Sequence, residues 1–408
     1  MVRQLAAVLL LALVAGVVVA VVGGRGDKPA PRTLPPVAGD SSAGPESHVS
    51  FLQRLIPPPP DVVKGPAAPR SVADLARRLP LGRAVAQLFL FGFAGKDSTA
   101  PVFDELKRLD IGGLVVDGRN YDNAQQLAGL TTQLTAAAAS SSHLPLWVMA
   151  EQDGGDYSQF PDLPPTNAPG GYRDATGAAA AFTDSATTLK ALGINGLLEP
   201  GLDVSSAETG SVVGARAFSS DPAKVADYAR RSVAACRQLK LFCAAKHFPG
   251  IGAADTPTDE GPAQIGLSLA QLEARDVVPF AAAIKAGIPG IVVGEGLYEP
   301  DSFVTPAALS SRMIGSLLRK RLRFGGLAIT DDVADPGVST FAQIPDAAVE
   351  AIKAGADVVY VSGPAGDQEA AYTAVLNATR NGSIPEKRVR EALLRVLLAK
   401  RAYGLLAG

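Results

Sequence analysis

Residues 243–250 read Cys-Ala-Ala-Lys-His-Phe-Pro-Gly, an apolar run that gains two ionisable side chains at its end and is stopped by Pro249-Gly250. Ahead of it lies Asp221–Leu239, where apolar residues recur every three or four positions. A run this short after a segment of helical period predicts one strand of a parallel β/α unit. The same alternation extends in both directions. Strand candidates precede it at Gln87–Phe93, Gly113–Asp117, Leu146–Glu151 and Gly196–Pro200, and follow it at Ile291–Glu295, Leu327–Asp331 and Val358–Ser362. Helical segments such as Ser268–Ala286 lie between them. Together with Cys243–Phe248 these make eight repeats, and eight parallel strands close into a barrel whose interior side chains can fill. The predicted fold of residues 71–408 is therefore an α/β (β/α)8 TIM barrel, with a doubly wound open sheet as the alternative. No Gly-rich phosphate loop follows any strand, so nucleotide chemistry has no sequence support.

Composition narrows the function. Of 408 residues, 47% are hydrophobic and 19% charged, enough apolar material to exclude global disorder. A net charge of −2 gives no reason to expect a nucleic-acid partner. Two cysteines, Cys236 and Cys243, are too few for a disulfide-dense fold or a Cys-rich zinc module. They flank a turn from a helix into a strand. Buried free thiols are the default expectation, although an extracytoplasmic location permits a disulfide. Histidine is limited to His48, His143 and His247, and neither metal nor cofactor is implied.

Two segments precede the barrel. Within residues 1–25, Leu5–Val22 is apolar apart from Gly16 and reaches roughly 27 Å as a helix, close to the hydrocarbon thickness of a bilayer. A membrane anchor is expected, with a cleaved signal peptide as the competing reading. Arg3 on the short side places the rest outside the cytoplasm, membrane-held or secreted according to which reading holds. Residues 26–70 are rich in Pro, Gly and Ser, including Pro57–Pro60, and read as a spacer in which His48 is solvated.

In such a barrel the chemistry gathers at the C-terminal ends of the strands. Those ends read Glu151-Gln152-Asp153 on strand three, Lys246-His247 on strand five, Gly294-Glu295 on strand six and Thr330-Asp331-Asp332 on strand seven. His143 precedes strand three and falls on the opposite face. Converging carboxylates without metal-ligand spacing suggest glycoside chemistry, where one carboxylate attacks an anomeric carbon and a second group moves a proton. A rim of structural ion pairs is the plainer alternative.

The strings AAKHFPG (Ala244–Gly250), GARAFSSDP (Gly214–Pro222), GINGLLEPGLDV (Gly193–Val204) and GGLAITDDV (Gly325–Val333) are more specific. They resemble the family 3 glycoside hydrolases, in particular the single-domain bacterial β-N-acetylhexosaminidases, over the stretch from about Val85 to the C-terminal helix. The resemblance implies a retaining mechanism with Asp331 as nucleophile. It also implies that Lys246 and His247 hold sugar hydroxyls, that Arg216 contacts the substrate, and that Glu151 and Glu295 stand at substrate-binding positions.

The departures from the family pattern are equally specific. The family's Asp-x-His acid/base dyad lies on the loop after strand five, but here Ile251–Gly261 contains no histidine. Counted without a gap, Asp259 takes the histidine position; with a two-residue insertion it takes the aspartate position and Gly261 replaces the histidine. Glu260 is the first choice for the acid because of its longer reach, with Asp259 second and Glu295 as a fixed strand-end alternative. On strand three the family's Asp-Gln-Glu-Gly-Gly-Arg becomes Glu151–Asp156, and an expected arginine is Gln159. That exchange removes a charge-assisted hydrogen bond worth on the order of 1.5–3 kcal/mol. Two functions follow. One is a monomeric glycosidase acting on β-linked (N-acetyl)hexosaminides from cell-wall glycans such as peptidoglycan fragments. The other is a non-catalytic descendant that binds a glycan or a partner.

Overall fold

The computed structural model describes residues 70–206 and 212–406. The expected anchor over 1–25 and all but the last residue of the expected spacer over 26–70, His48 included, lie outside the described residues. Among those described, no helix is long and apolar enough to cross a membrane.

Eight parallel strands form a closed barrel: β1 (Phe89–Gly92), β2 (Gly113–Val116), β3 (Trp147–Ala150), β4 (Gly196–Leu197), β5 (Phe242–Phe248), β6 (Gly290–Val293), β7 (Leu327–Asp332) and β8 (Val358–Val361). Each falls on one of the eight expected runs, and their spatial order follows the chain. Closure comes from β1 against β8, with Phe89 opposite Val359 and Leu90 opposite Tyr360. The open-sheet alternative is excluded by that pairing. Nearly every strand residue is buried, as expected where helices cover a parallel sheet. Close approach of the walls uses small residues. A Cβ on Gly113 would stand 2.5 Å from Trp147 Cβ and 2.6 Å from Leu90 Cδ2.

Two expected elements come out shorter. The strand-four ladder stops at Leu197, three residues before Pro200, which has no amide to give a ladder. The segment Ser268–Ala286 breaks into helices Leu269–Ala274 and Val277–Ala286, because Arg275 leaves helical conformation (φ −120°, ψ −74°). Its guanidinium instead donates to the carbonyls of Val204 and Ser205 at 2.6 and 2.8 Å, tying this corner to the loop after β4.

The helix feeding β5 illustrates how sequence sets an element. Asp221 caps its start by accepting from the Ala223 amide at 2.8 Å, Pro222 occupies the first turn, and Lys240 ends it in the left-handed region (φ 50°). That sharp reversal brings the Cα atoms of Cys236 and Cys243 to 6.3 Å, and the two are joined as a disulfide. The default expectation of free thiols is corrected: both cysteines are buried, but they bridge the helix end to the start of β5.

Opposite the strand C-termini, the barrel floor is closed by the last helix, Glu386–Ala402, and the residues that follow it. Tyr403 stacks edge-on to Phe242 at 5.6 Å, and Phe242 lies 4.9 Å from Trp147. Arg390 donates to the carbonyls of Ala76 and Leu79, which the helix Arg70–Arg78 leaves without partners. Lys400, fully buried, donates to Gln87 Oε1 at 2.7 Å. Burial pushes its ammonium down to about 7 in spite of the Asp110 charge nearby.

This lysine makes stability depend on pH. The unfolded chain keeps Lys400 protonated up to about pH 10.4, whereas the folded chain releases that proton near 7, so the folded state gains stability as pH rises between those values. Denaturant midpoints at pH 7 and pH 9.5 are expected to rise with pH in the native chain. Lys400→Met should flatten that rise, and identical slopes in both proteins would show that the buried lysine stays charged.

Candidate active site

The β5 terminus carries two adjacent ionisable side chains, and the fold sends them to different neighbours. Lys246, 1% exposed, donates from Nζ to Glu151 Oε2 at 2.9 Å and to Asp153 Oδ2 at 3.0 Å, both just past β3. Burial alone would strip its proton. The charges of Asp153 and Glu151 foremost outweigh that and hold the ammonium well above its ordinary range. Glu199 follows β4 and accepts from the Gln152 amide. Buried and next to Asp153, it is pushed up to about 8, so at neutral pH it carries its proton, and Lys246 is left to its two direct partners.

His247 points the other way. Its Nδ1 lies 2.6 Å from Asp203 Oδ2, and Asp203 Oδ1 accepts from the Ile251 amide at 2.8 Å. Burial works against the imidazolium, but the Asp203 charge and hydrogen bond prevail and raise the His247 pKa. Burial likewise works to raise Asp203, while His247, the Ile251 amide and Arg216 hold it low. With Nδ1 committed, Nε2 is directed at Asp331 Oδ2 across 3.9 Å, too long for a hydrogen bond and open to an intervening hydroxyl.

The two acids ending β7 have different roles. Asp332 Oδ1 accepts from the amides of Ala334 (3.0 Å) and Ser362 (2.9 Å), pinning the turn and the end of β8. Among the described residues, Asp331 accepts only from its neighbour's amide at 3.2 Å and stays available. Burial raises its pKa, with His247 and Lys246 opposing. Asp331, Asp332 and Glu151 line one open cleft of about 540 Å³, together with Asp117, Gln159, Asp335 and Tyr360.

The other expected site residues are placed as follows. Arg216 stacks over the Tyr157 ring at 5.0 Å, and its buried Nε has no hydrogen-bond partner among the described residues. Glu295 is wholly enclosed, with both carboxyl oxygens unpartnered. Its pKa is driven well up by burial and by the charges of Asp331, Asp335, Asp332 and Asp259. Asp259 and Glu260 stand exposed on the loop after β5, and neither lines the cleft. That loop is held by the short pairing of Gln264–Ile265 with Leu297–Tyr298, and by Tyr298 Oη donating to Gly250 O at 2.8 Å. Gly252 passes the loop after β4 so closely that a Cβ there would meet Val204 O at 1.9 Å. His143 sits ahead of β3 at the far end of the barrel.

Four residues of this site were not singled out from the sequence. Asp117 and Glu199 sit within a few residues past β2 and β4, where the strand-end rule reaches them, and Asp203 lies inside the quoted string Gly193–Val204. Asp335 lies three residues past β7, within reach of the same rule, but in the sequence it is masked by the Asp331-Asp332 pair just ahead of it. Among the described residues, no group of three or more His, Cys, Asp or Glu side chains is arranged to hold a metal ion.

Comparison with known proteins agrees with this geometry. Residues 81–399 match the glycosyl hydrolase family 3 N terminal domain. The chain is 30% identical to beta-hexosaminidase A of Pseudoalteromonas piscicida, over 65% of this chain and 48% of that one. It is 30% identical to a beta-hexosaminidase of Stenotrophomonas maltophilia, over 68% of this chain and 84% of that one. The fold superposes on a family 3 beta-N-acetylglucosaminidase from a Paenibacillus species with a TM-score of 0.76 and 29% identity, covering 81% of this chain and 64% of that one. The chain thus spans about half the length of the Pseudoalteromonas relative.

The Asp203–His247 pair can be tested directly, since the chain has only three imidazoles to resolve by NMR. Asp203→Asn removes the charge that holds the proton on His247, so the His247 pKa should fall, with His48 and His143 unmoved. An unchanged His247 titration would show that Asp203 does not set its protonation.

Proposed function

This chain belongs to glycosyl hydrolase family 3, and on that premise we propose that it is a retaining glycosidase acting on β-linked N-acetylhexosaminides. The observation that carries the reading is the setting of Asp331. It is the carboxylate at the end of β7 without a structural commitment, it opens on the cleft, and it faces His247 Nε2 at 3.9 Å. Glu151 lines the cleft beside Asp331, Lys246 is bonded to Glu151, and His247 Nε2 faces Asp331; with Arg216 these are the residues assigned to hold the sugar.

In the proposed reaction Asp331 attacks the anomeric carbon while the aglycone oxygen leaves with a proton from a nearby acid, giving a glycosyl ester. Water then attacks that carbon, returns its proton to the same acid and frees Asp331. The positive charges of Lys246 and His247 favour the ionised nucleophile. The substrate class is supported by relatives named beta-hexosaminidase. A cell-wall glycan as source, and a membrane-held or secreted location, rest on the N-terminal apolar run alone. No observation of geometry or kinship favours the reading of a binding protein without chemistry.

Nitrophenyl β-N-acetylglucosaminide is the direct probe. The native chain should release nitrophenol and the sugar as its β-anomer, and Asp331→Asn should lose several orders of magnitude in turnover with the fold intact. Full activity in Asp331→Asn would remove this nucleophile. Inactivity of the native chain toward every aryl glycoside would favour the binding reading.

A further inference from the structure

We propose that Asp335 is the acid/base of this site, protonating the leaving oxygen and then deprotonating the attacking water in place of the acids on the loop after β5. The inference rests on the retaining-hydrolase reading above and assigns the one role that reading leaves open.

Asp335 stands four residues beyond Asp331 and lines the same cleft as Asp331 and Glu151. Its backbone is fixed on three sides. The Asp335 amide donates to Asp332 O at 3.0 Å, its own carbonyl accepts from Val338 and Ser339 at 3.0 and 2.8 Å, and the following Gly337 amide donates to Thr258 O at 2.9 Å. Gly337 allows that closeness, for a Cβ there would come within 2.5 Å of Glu295 Oε2. The Asp335 carboxyl group, by contrast, has no hydrogen-bond donor and no cation among the described residues. A rigid backbone with an uncommitted side chain in the cleft suits a group that must meet a substrate oxygen. The alternatives are worse placed: Glu260 and Asp259 are exposed outside the cleft lining, and Glu295 is enclosed.

The charges around Asp335 suit a donor. Facing it are Asp331 and Asp332 from its own segment, Asp259 from the loop after β5, Glu151 from β3 and Glu295 from β6. Burial first, and the charges of Asp332, Asp331, Asp259 and Glu151 next, push its carboxyl up to about 8, so it holds a proton at neutral pH. Asp331, with His247 and Lys246 beside it, is the partner favoured to ionise. Two carboxyls whose surroundings separate their proton affinities make an acid and a nucleophile. In the first step the Asp335 proton passes to the glycosidic oxygen as the C1–O bond breaks and the Asp331 Oδ–C1 bond forms. In the second, water adds to C1, its proton goes to the Asp335 carboxylate, and the ester bond to Asp331 breaks.

The test uses aryl and alkyl β-N-acetylglucosaminides of graded leaving ability. Asp335→Asn should leave kcat/KM for the dinitrophenyl glycoside within about tenfold of native, and lower kcat/KM for the methyl glycoside by about 10²–10⁴-fold, the range of general acid catalysis. The native fall in kcat/KM above about pH 8 should vanish in this variant. Azide attacks without needing a base, so it should accelerate Asp335→Ala on the dinitrophenyl substrate and yield a β-glycosyl azide. A native-like leaving-group profile and alkaline limb in Asp335→Asn would overturn the assignment. Azide rescue in Asp259→Asn or Glu260→Gln would move the role to the loop. These failures leave Asp331→Asn inactive, whereas a native chain without any hydrolysis removes the glycosidase reading itself.

Discussion

One buried ammonium organises the site. Lys246 is almost completely removed from water, and an isolated charge there would lose its proton. It is kept by Glu151 and Asp153 from β3, with Glu199 from the β4 segment protonated beside them. Satisfying this charge fixes how the ends of β3, β4 and β5 meet. His247, next in the chain, is then left to face Asp203 and Asp331. This rim of the barrel is thus built on a charge balance, which is why neighbouring side chains meet such different partners.

The same accounting separates the acids. Asp332 is spent on backbone amides, Asp117 is held by the amide and guanidinium of Arg119, Glu151 by Lys246, and Glu295 is enclosed; of the described acids lining the cleft, Asp331 and Asp335 are the two without such a commitment. Loss of the family's histidine from the loop after β5 does not empty the site of proton donors. It shifts the question to which carboxyl is placed to give its proton, and the turn after β7 supplies one.

Much of the barrel was legible in the sequence, because a fully buried parallel strand must be a short apolar run between segments of helical period. All eight runs became strands. The errors were local: Pro200 cut strand four short, and Arg275 broke a helix to bond across to the β4 loop, a tertiary preference that periodicity does not carry. The rim was legible where chemistry sits at strand ends, as for Asp331, Lys246, His247 and Glu151. It was not where a nearer acid pair masks a later acid, as for Asp335 behind Asp331-Asp332, or where an apparently available strand-end acid is enclosed, as for Glu295. The cysteines show a similar limit, since their pairing depends on the left-handed turn at Lys240.

The central claim, double displacement through Asp331, is tested most directly by trapping its intermediate. Incubation with a 5-fluoro β-N-acetylglucosaminide bearing a dinitrophenyl leaving group, followed by intact and peptide mass spectrometry, reads the covalent state. The account predicts a mass gain of one fluorinated N-acetylglucosaminyl group, located on Asp331. Turnover of the reagent with the adduct on another residue would contradict it.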